Sequence, residues 1–187
     1  MFILYAIPIG VLIGLVWGGR LDRLSELRLR WAPIMLLGLA VQIVLFSGRV
    51  GPAVGDVGPA IYVASTAAVF IAVLRNLATP GVWLIVVGAG CNLAAIVANG
   101  GSMPADSAAL GSVGGLPPGY TNSIIATDPA LRPLTDLFAL PAWLPFANVF
   151  SIGDVLIGVG VSVTIVLAMR RRTAEDASPA VGPAGGS

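Results

Sequence analysis

The chain has no lysine, no histidine and a single cysteine, Cys91. Without histidine it lacks the commonest metal ligand and the usual proton shuttle near neutral pH. One cysteine excludes an intrachain disulfide and a cysteine metal cage. Serine–histidine triads, histidine-held haem and zinc chemistry fall away with them, and no cofactor is expected. Charge is scarce too, at 10% of 187 residues against about 25% in an ordinary soluble domain. The net charge is +1 and every basic residue is an arginine, set in short groups. That leaves no basic stripe for nucleic acid.

What is present is apolar. Hydrophobic residues make up 57% of the chain, and the mean hydropathy is +0.94. Apolar runs predict helices over residues 2–17, 32–47, 60–74, 81–98 and 151–169. The fold class expected is all-α, an integral membrane bundle of about five transmembrane helices within residues 1–172. The first run lacks a basic leader region and ends in a poor cleavage site, Trp17-Gly18-Gly19-Arg20, which predicts a retained helix and not a signal peptide. Between the first two runs, Leu21, Leu24 and Leu27 fall at helical spacing among charges, as in a short interfacial turn. Residues 50–59 read as a Gly/Pro turn carrying Asp56. Pro80 opens the fourth helix in the position proline prefers.

Residues 99–150 form a connection too long for a simple turn. A partly ordered outer loop is expected there, with a flexible Gly/Pro portion. Its apolar end, residues 137–150, should lie along the membrane surface or dip into it. Residues 173–187 read as a disordered cytoplasmic tail. Five spans would put Arg20, Arg23, Arg28, Arg30, Arg75 and Arg170–Arg172 on one side, and Arg49 and Arg132 on the other. The excess marks the cytoplasmic side, which predicts an outside amino terminus, a cytoplasmic carboxyl terminus and an outward loop.

This topology gives the polar residues a depth. Gln42 lies about 8 Å below the outer end of the second helix, Asn92 about 10 Å below that of the fourth and Asp154 about 5 Å into the fifth. Tyr5, Tyr62, Ser65 and Thr66 share that outer layer. Polar groups in hydrocarbon should face inward and pair. The agreement in depth predicts an outward-facing buried pocket that binds a ligand through Gln42, Asn92, Asn99, Ser102 and Asp154. Plainer roles stand beside this. Ser151 and Asp154 fit a capping box, Gln42 and Asn92 could be interhelical glue, and Asn99-Gly100-Gly101 could be a helix end. Asp106, Asp128 and Asp136 read as solvated loop acids.

Asn92, Asn99-Gly100-Gly101-Ser102-Met103-Pro104, Tyr120-Thr121-Asn122, Pro141 and Ser151-Ile152-Gly153-Asp154 together resemble an uncharacterised family of small bacterial multi-pass membrane proteins. That resemblance covers nearly all but the tail and implies a multi-pass plasma-membrane protein with no activity attached. Gly90-Cys91-Asn92-Leu93-Ala94-Ala95 and Phe150-Ser151-Ile152-Gly153-Asp154 are similar, more faintly, to two motifs of the lipoprotein signal peptidases. Ala95 stands where that family carries its first catalytic acid, so Asp106 or Asp136 would have to swing in from the loop to form a dyad.

Three functions follow as alternatives. One is a non-catalytic membrane protein whose pocket takes a lipid headgroup, a small molecule or a partner helix. Another is an intramembrane aspartyl-type enzyme on a lipid or lipidated substrate, with Asp154 as general acid/base. The third is a small transporter or transporter subunit with Asp154 as cation site. Partners expected are membrane lipids, and a second copy or another membrane protein packed on glycine faces such as Gly10–Gly14 and Gly153–Gly160.

Overall fold

The computed structural model describes residues 2–47, 50–115 and 122–171. Arg49, Tyr120, Thr121, Arg172 and the 173–187 tail lie outside the described residues. The chain is mostly helical. Its principal helices are α1 (Ala6–Val16), α2 (Ala32–Leu45), α4 (Gly58–Leu74), α5 (Val82–Ala98) and α7 (Ile152–Arg170). Short helices α3 (Gly51–Val54) and α6 (Ser107–Ser112) lie between them. The apolar runs thus became helices close to the expected bounds. Residues 50–59 differ: they form α3 and a 3-10 turn at Gly55–Val57 in place of an open turn, because Gly/Pro pairs also start helices.

Two helices are long and apolar enough to cross a membrane: Gly55–Leu74, counted with its leading turn, and Ile152–Arg170. Phe2–Val16, Ala32–Leu45 and Val82–Ala98 are apolar but shorter. The bundle is inside-out relative to a soluble one. Large side chains such as Leu12, Leu36, Leu37, Ile43 and Trp83 are exposed, whereas Gly10, Gly14, Gly38, Gly88 and Gly153 are buried in the seams. Small residues let backbones approach when apolar surface need not be hidden from water. The Gly10 and Gly14 face packs against Ser162 and Met169 of α7, so it is used within the chain.

Neighbouring helices pack in the order α1, α7, α5, α4, α2. The contacts set their directions. Phe2 stacks on Phe150 while Arg20 N–H donates to Met169 O, so α1 and α7 run parallel. Gly81 lies against Thr164 and Gly88 against Gly153, so α5 is antiparallel to α7. Gln42 meets Thr66 and Arg30 N–H reaches Asn76 Oδ1, so α2 and α4 are antiparallel. One end of the bundle therefore collects Arg20, Arg30, Arg75 and Arg170.

The other end is covered by the long connection. This is more ordered than a Gly/Pro loop would suggest. Strand β1 (Met103–Ala105) pairs in parallel with β2 (Ser123–Ile125), and β3 (Phe138–Ala139) pairs antiparallel with β4 (Val149–Phe150). Met103 is buried in one cluster with Leu45, Tyr62, Ala95 and Ile96, which plugs the loop into the helix ends. Burial of that apolar surface is what orders the loop.

Candidate functional site

The row of helices curves. Phe2 and Ile3 from one edge and Gln42 from the other line the same cavity, of about 360 Å3. That is a size at which small-molecule sites begin. Its polar lining comes from Gln42, Tyr62, Thr66, Asn92, Asp154 and, from the loop, Asn122, Asp136 and Asn148. Val69, Val73, Ile85 and Ile157 make an apolar remainder.

Asp154 is held at the α5–α7 seam. Ser151 is wholly buried and caps α7: Asp154 N–H donates to Ser151 Oγ at 3.0 Å, and Ser151 N–H donates to Asp154 Oδ2 at 3.1 Å. This is a reciprocal capping box. Asn92 closes a second ring. Its Nδ2 donates to Asp154 Oδ1 at 2.8 Å, and its Oδ1 accepts from Ser151 Oγ at 2.8 Å. Asn92 fits only because residue 153 is glycine: a Cβ there would overlap Asn92 Oδ1 and lie 2.8 Å from Gly88 O. Gln42 Nε2 donates to Thr66 Oγ1 at 3.2 Å and ties α2 to α4. Capping and glue are therefore real roles of these four residues, and Gln42, Asn92 and Asp154 also face the cavity.

Asn99 and Ser102 do not line it. Asn99 ends α5, donating to Ala95 O at 2.8 Å and exchanging two hydrogen bonds with the Ala130 backbone. Ser102 is buried beside β1. Through those bonds Asn99 anchors the loop to the end of α5.

The loop acids divide three ways. Asp128 is exposed, as expected. Asp106 caps α6 through Ala108 and Ala109 N–H. Asp136 is a correction: it is 4% exposed and faces the cavity. Its backbone is gripped by β1 and the residue after it, with Asp136 N–H donating to Pro104 O and Asp106 N–H donating to Asp136 O, both at 2.9 Å. Among the described residues no donor reaches its carboxylate. Burial, and then the nearby charge of Asp154, push the Asp136 carboxyl up to about 7. Asn148 was also missed. Its Nδ2 donates to Val149 O at 2.6 Å, and its buried Oδ1 has no partner among the described residues. Neither residue sits in a periodic run, so only the pairing of strands brings them to the pocket.

Residues 26–166 match the family of unknown function DUF5317. The chain belongs to that family. No curated protein and no solved structure matches it. DUF5317 covers every cavity group named above except Phe2 and Ile3. The fainter likeness to lipoprotein signal peptidases finds no support, and Ala95 is wholly buried against Tyr62 and Met103 in the helix core.

Proposed function

We propose that the chain is a five-span protein of the bacterial plasma membrane, amino terminus outside, that binds a small ligand or lipid headgroup in an outward-facing pocket. The observation that carries this reading is Asp136, a buried carboxylate with no donor among the described residues, facing a cavity ringed by polar groups from α2, α4, α5 and α7. A protein does not keep such a group in its interior without a compensating partner. The arginines gathered at the opposite end support the orientation. Trp143 and Phe146, both strongly exposed on the loop, suit a loop resting at the membrane surface.

A second reading has one observation in its favour: two carboxylates share the cavity, and one of them titrates near neutral pH. Aspartyl acid–base chemistry needs such a pair. Against it, each oxygen of Asp154 already accepts a hydrogen bond that holds the α7 cap. Transport is disfavoured by the inner part of the cavity, where Val73 and Ile85 offer no polar path.

Thiol labelling tests the topology. In a Cys91→Ser background, Asp128→Cys, at an exposed loop position, should react with an impermeant maleimide added to intact spheroplasts, and Arg75→Cys, exposed at the other end, should not. The reverse pattern overturns the orientation. A thermal-shift screen tests the pocket: ligands should stabilise the wild-type protein and not Val69→Trp, which fills the cavity. Equal stabilisation of both by every active compound overturns the site.

A further inference from the structure

The cavity has acceptors to spare and no described side chain to neutralise them; the one positive charge felt there, that of the amino terminus, acts on Asp154 and not on Asp136. Among the described residues Asp136 offers two carboxylate oxygens without donors, and Asn148 adds a buried Oδ1 whose amide is pinned by its bond to Val149 O. Asp154 contributes a second carboxylate. Among the described residues no arginine lines the cavity, and the chain has no lysine to offer a positive charge there. A buried carboxylate needs an opposite charge or a proton; Asp136 holds a proton below about pH 7, and above that an opposite charge brought by a ligand is the complement that no described side chain supplies.

An ammonium group meets that demand, with three N–H donors and no acceptor. A carboxylate or phosphate ligand would meet like charge, and a neutral hydroxyl could satisfy only one acceptor. A bare metal ion fits poorly. Among the described residues no group of three His, Cys, Asp or Glu could hold one, and the cavity far exceeds the volume of an ion. The rest of the lining tells the same story. From the Asp154 level the cavity runs inward along α5 from Asn92 to Ile85, about 10 Å. Along α4 it runs from Tyr62 to Val73, about 16 Å. It is polar at the loop end and apolar at the other.

Resting on the pocket reading above, we propose that this cavity binds an amphipathic primary amine, its ammonium between Asp136 and Asp154 and its apolar body along Val69, Val73 and Ile85. The amine could be a free compound or the headgroup of an aminophospholipid, which present the same donors.

The test is calorimetric titration of the full chain in phosphatidylcholine nanodiscs at about pH 8, where Asp136 is ionised, with octylamine, octanol and octanoate. Phosphatidylcholine carries no N–H donor and so leaves the site open. Octylamine should bind, octanol more weakly and octanoate not at all. Asp136→Asn should weaken octylamine by about tenfold or more, the loss of a charge-assisted bond, and change octanol far less, since an amide oxygen still accepts from a hydroxyl. If Asp136→Asn does not fold, Val69→Trp carries the same comparison by blocking the apolar end. Repeating the titration with phosphatidylethanolamine in the disc separates the sources: competition assigns the headgroup, and its absence assigns a free amine. Octanol or octanoate binding as tightly as the amine overturns the inference and leaves the pocket reading standing. So does displacement of the amine by sodium ions, or full amine affinity in Asp136→Asn. If none of the three binds, the amine inference falls, and the thermal-shift comparison with Val69→Trp decides the pocket on its own.

Discussion

Asp154 and Asp136 look into one cavity from two different kinds of scaffold. Asp154 stands in the first turn of a long helix, and both its oxygens accept hydrogen bonds, from Asn92 and from the Ser151 backbone. Asp136 stands in a loop held by short strands, more enclosed than the half-buried Asp154, with no donor among the described residues. The residue type is the same and the depth is similar. One carboxylate is spent on holding two helices together, and the other is left available. The difference teaches that burial alone does not mark a functional acid; burial without a partner does.

The largest expected effect separates them by pH. In the folded, ligand-free protein Asp136 titrates near 7, raised from 3.8 by burial and the Asp154 charge. Between those values the native state keeps a proton that the unfolded chain has lost. The stability contribution is therefore complete below about pH 4, is lost as pH rises through about 7 and levels off above it. The span is of order 4 kcal/mol. Unfolding in mixed micelles across that range should show the decline in the wild-type protein and not in Asp136→Asn, which should be the more stable at pH 8. The groups facing Asp136 in the cavity are Asp154 from α7 and Tyr62 from α4. Amine affinity should run the other way, rising with pH through about 7.

Next comes the seam that holds Asp154. Gly153→Val places carbon on Asn92 Oδ1 and against Gly88 O. Overpacking a backbone contact of this kind should cost about 3 kcal/mol, read as a lowered unfolding midpoint. Asn92→Ala should cost about 2 kcal/mol, since it strips a donor from Asp154 and an acceptor from Ser151. Ser151→Ala, which removes the helix cap, should cost about 1 kcal/mol. If these seam variants leave stability unchanged while abolishing binding, the division of labour between the two acids is wrong.

The seam was legible in the sequence and the loop was not. Ser151-Ile152-Gly153-Asp154 carries its capping box in four consecutive residues, and Asn92 falls at a matching depth because helical rise converts residue number into height. Gln42, Tyr62 and Thr66 could be placed by the same rule. Asp136 obeys no such rule. It follows Pro133 in a stretch without period, and it is buried only because its backbone bonds to Pro104 and Asp106, some thirty residues earlier. Asn148 reaches the cavity through the β3–β4 pairing. Long-range pairing of short strands leaves little local trace. The same reason separates Asn99 and Ser102 from the cavity lining: their position near the end of α5 is readable from the sequence, and the loop that surrounds them is not.

The most direct test is an infrared titration of the carboxyl groups in the purified protein, wild type against Asp136→Asn and Asp154→Asn. One protonated carboxyl should titrate near pH 7. It should vanish in Asp136→Asn and persist in Asp154→Asn with a lower midpoint, because the charge that raises it is gone. A wild-type protein with no carboxyl titrating between about pH 5 and 9, or a signal that survives Asp136→Asn, would contradict the account.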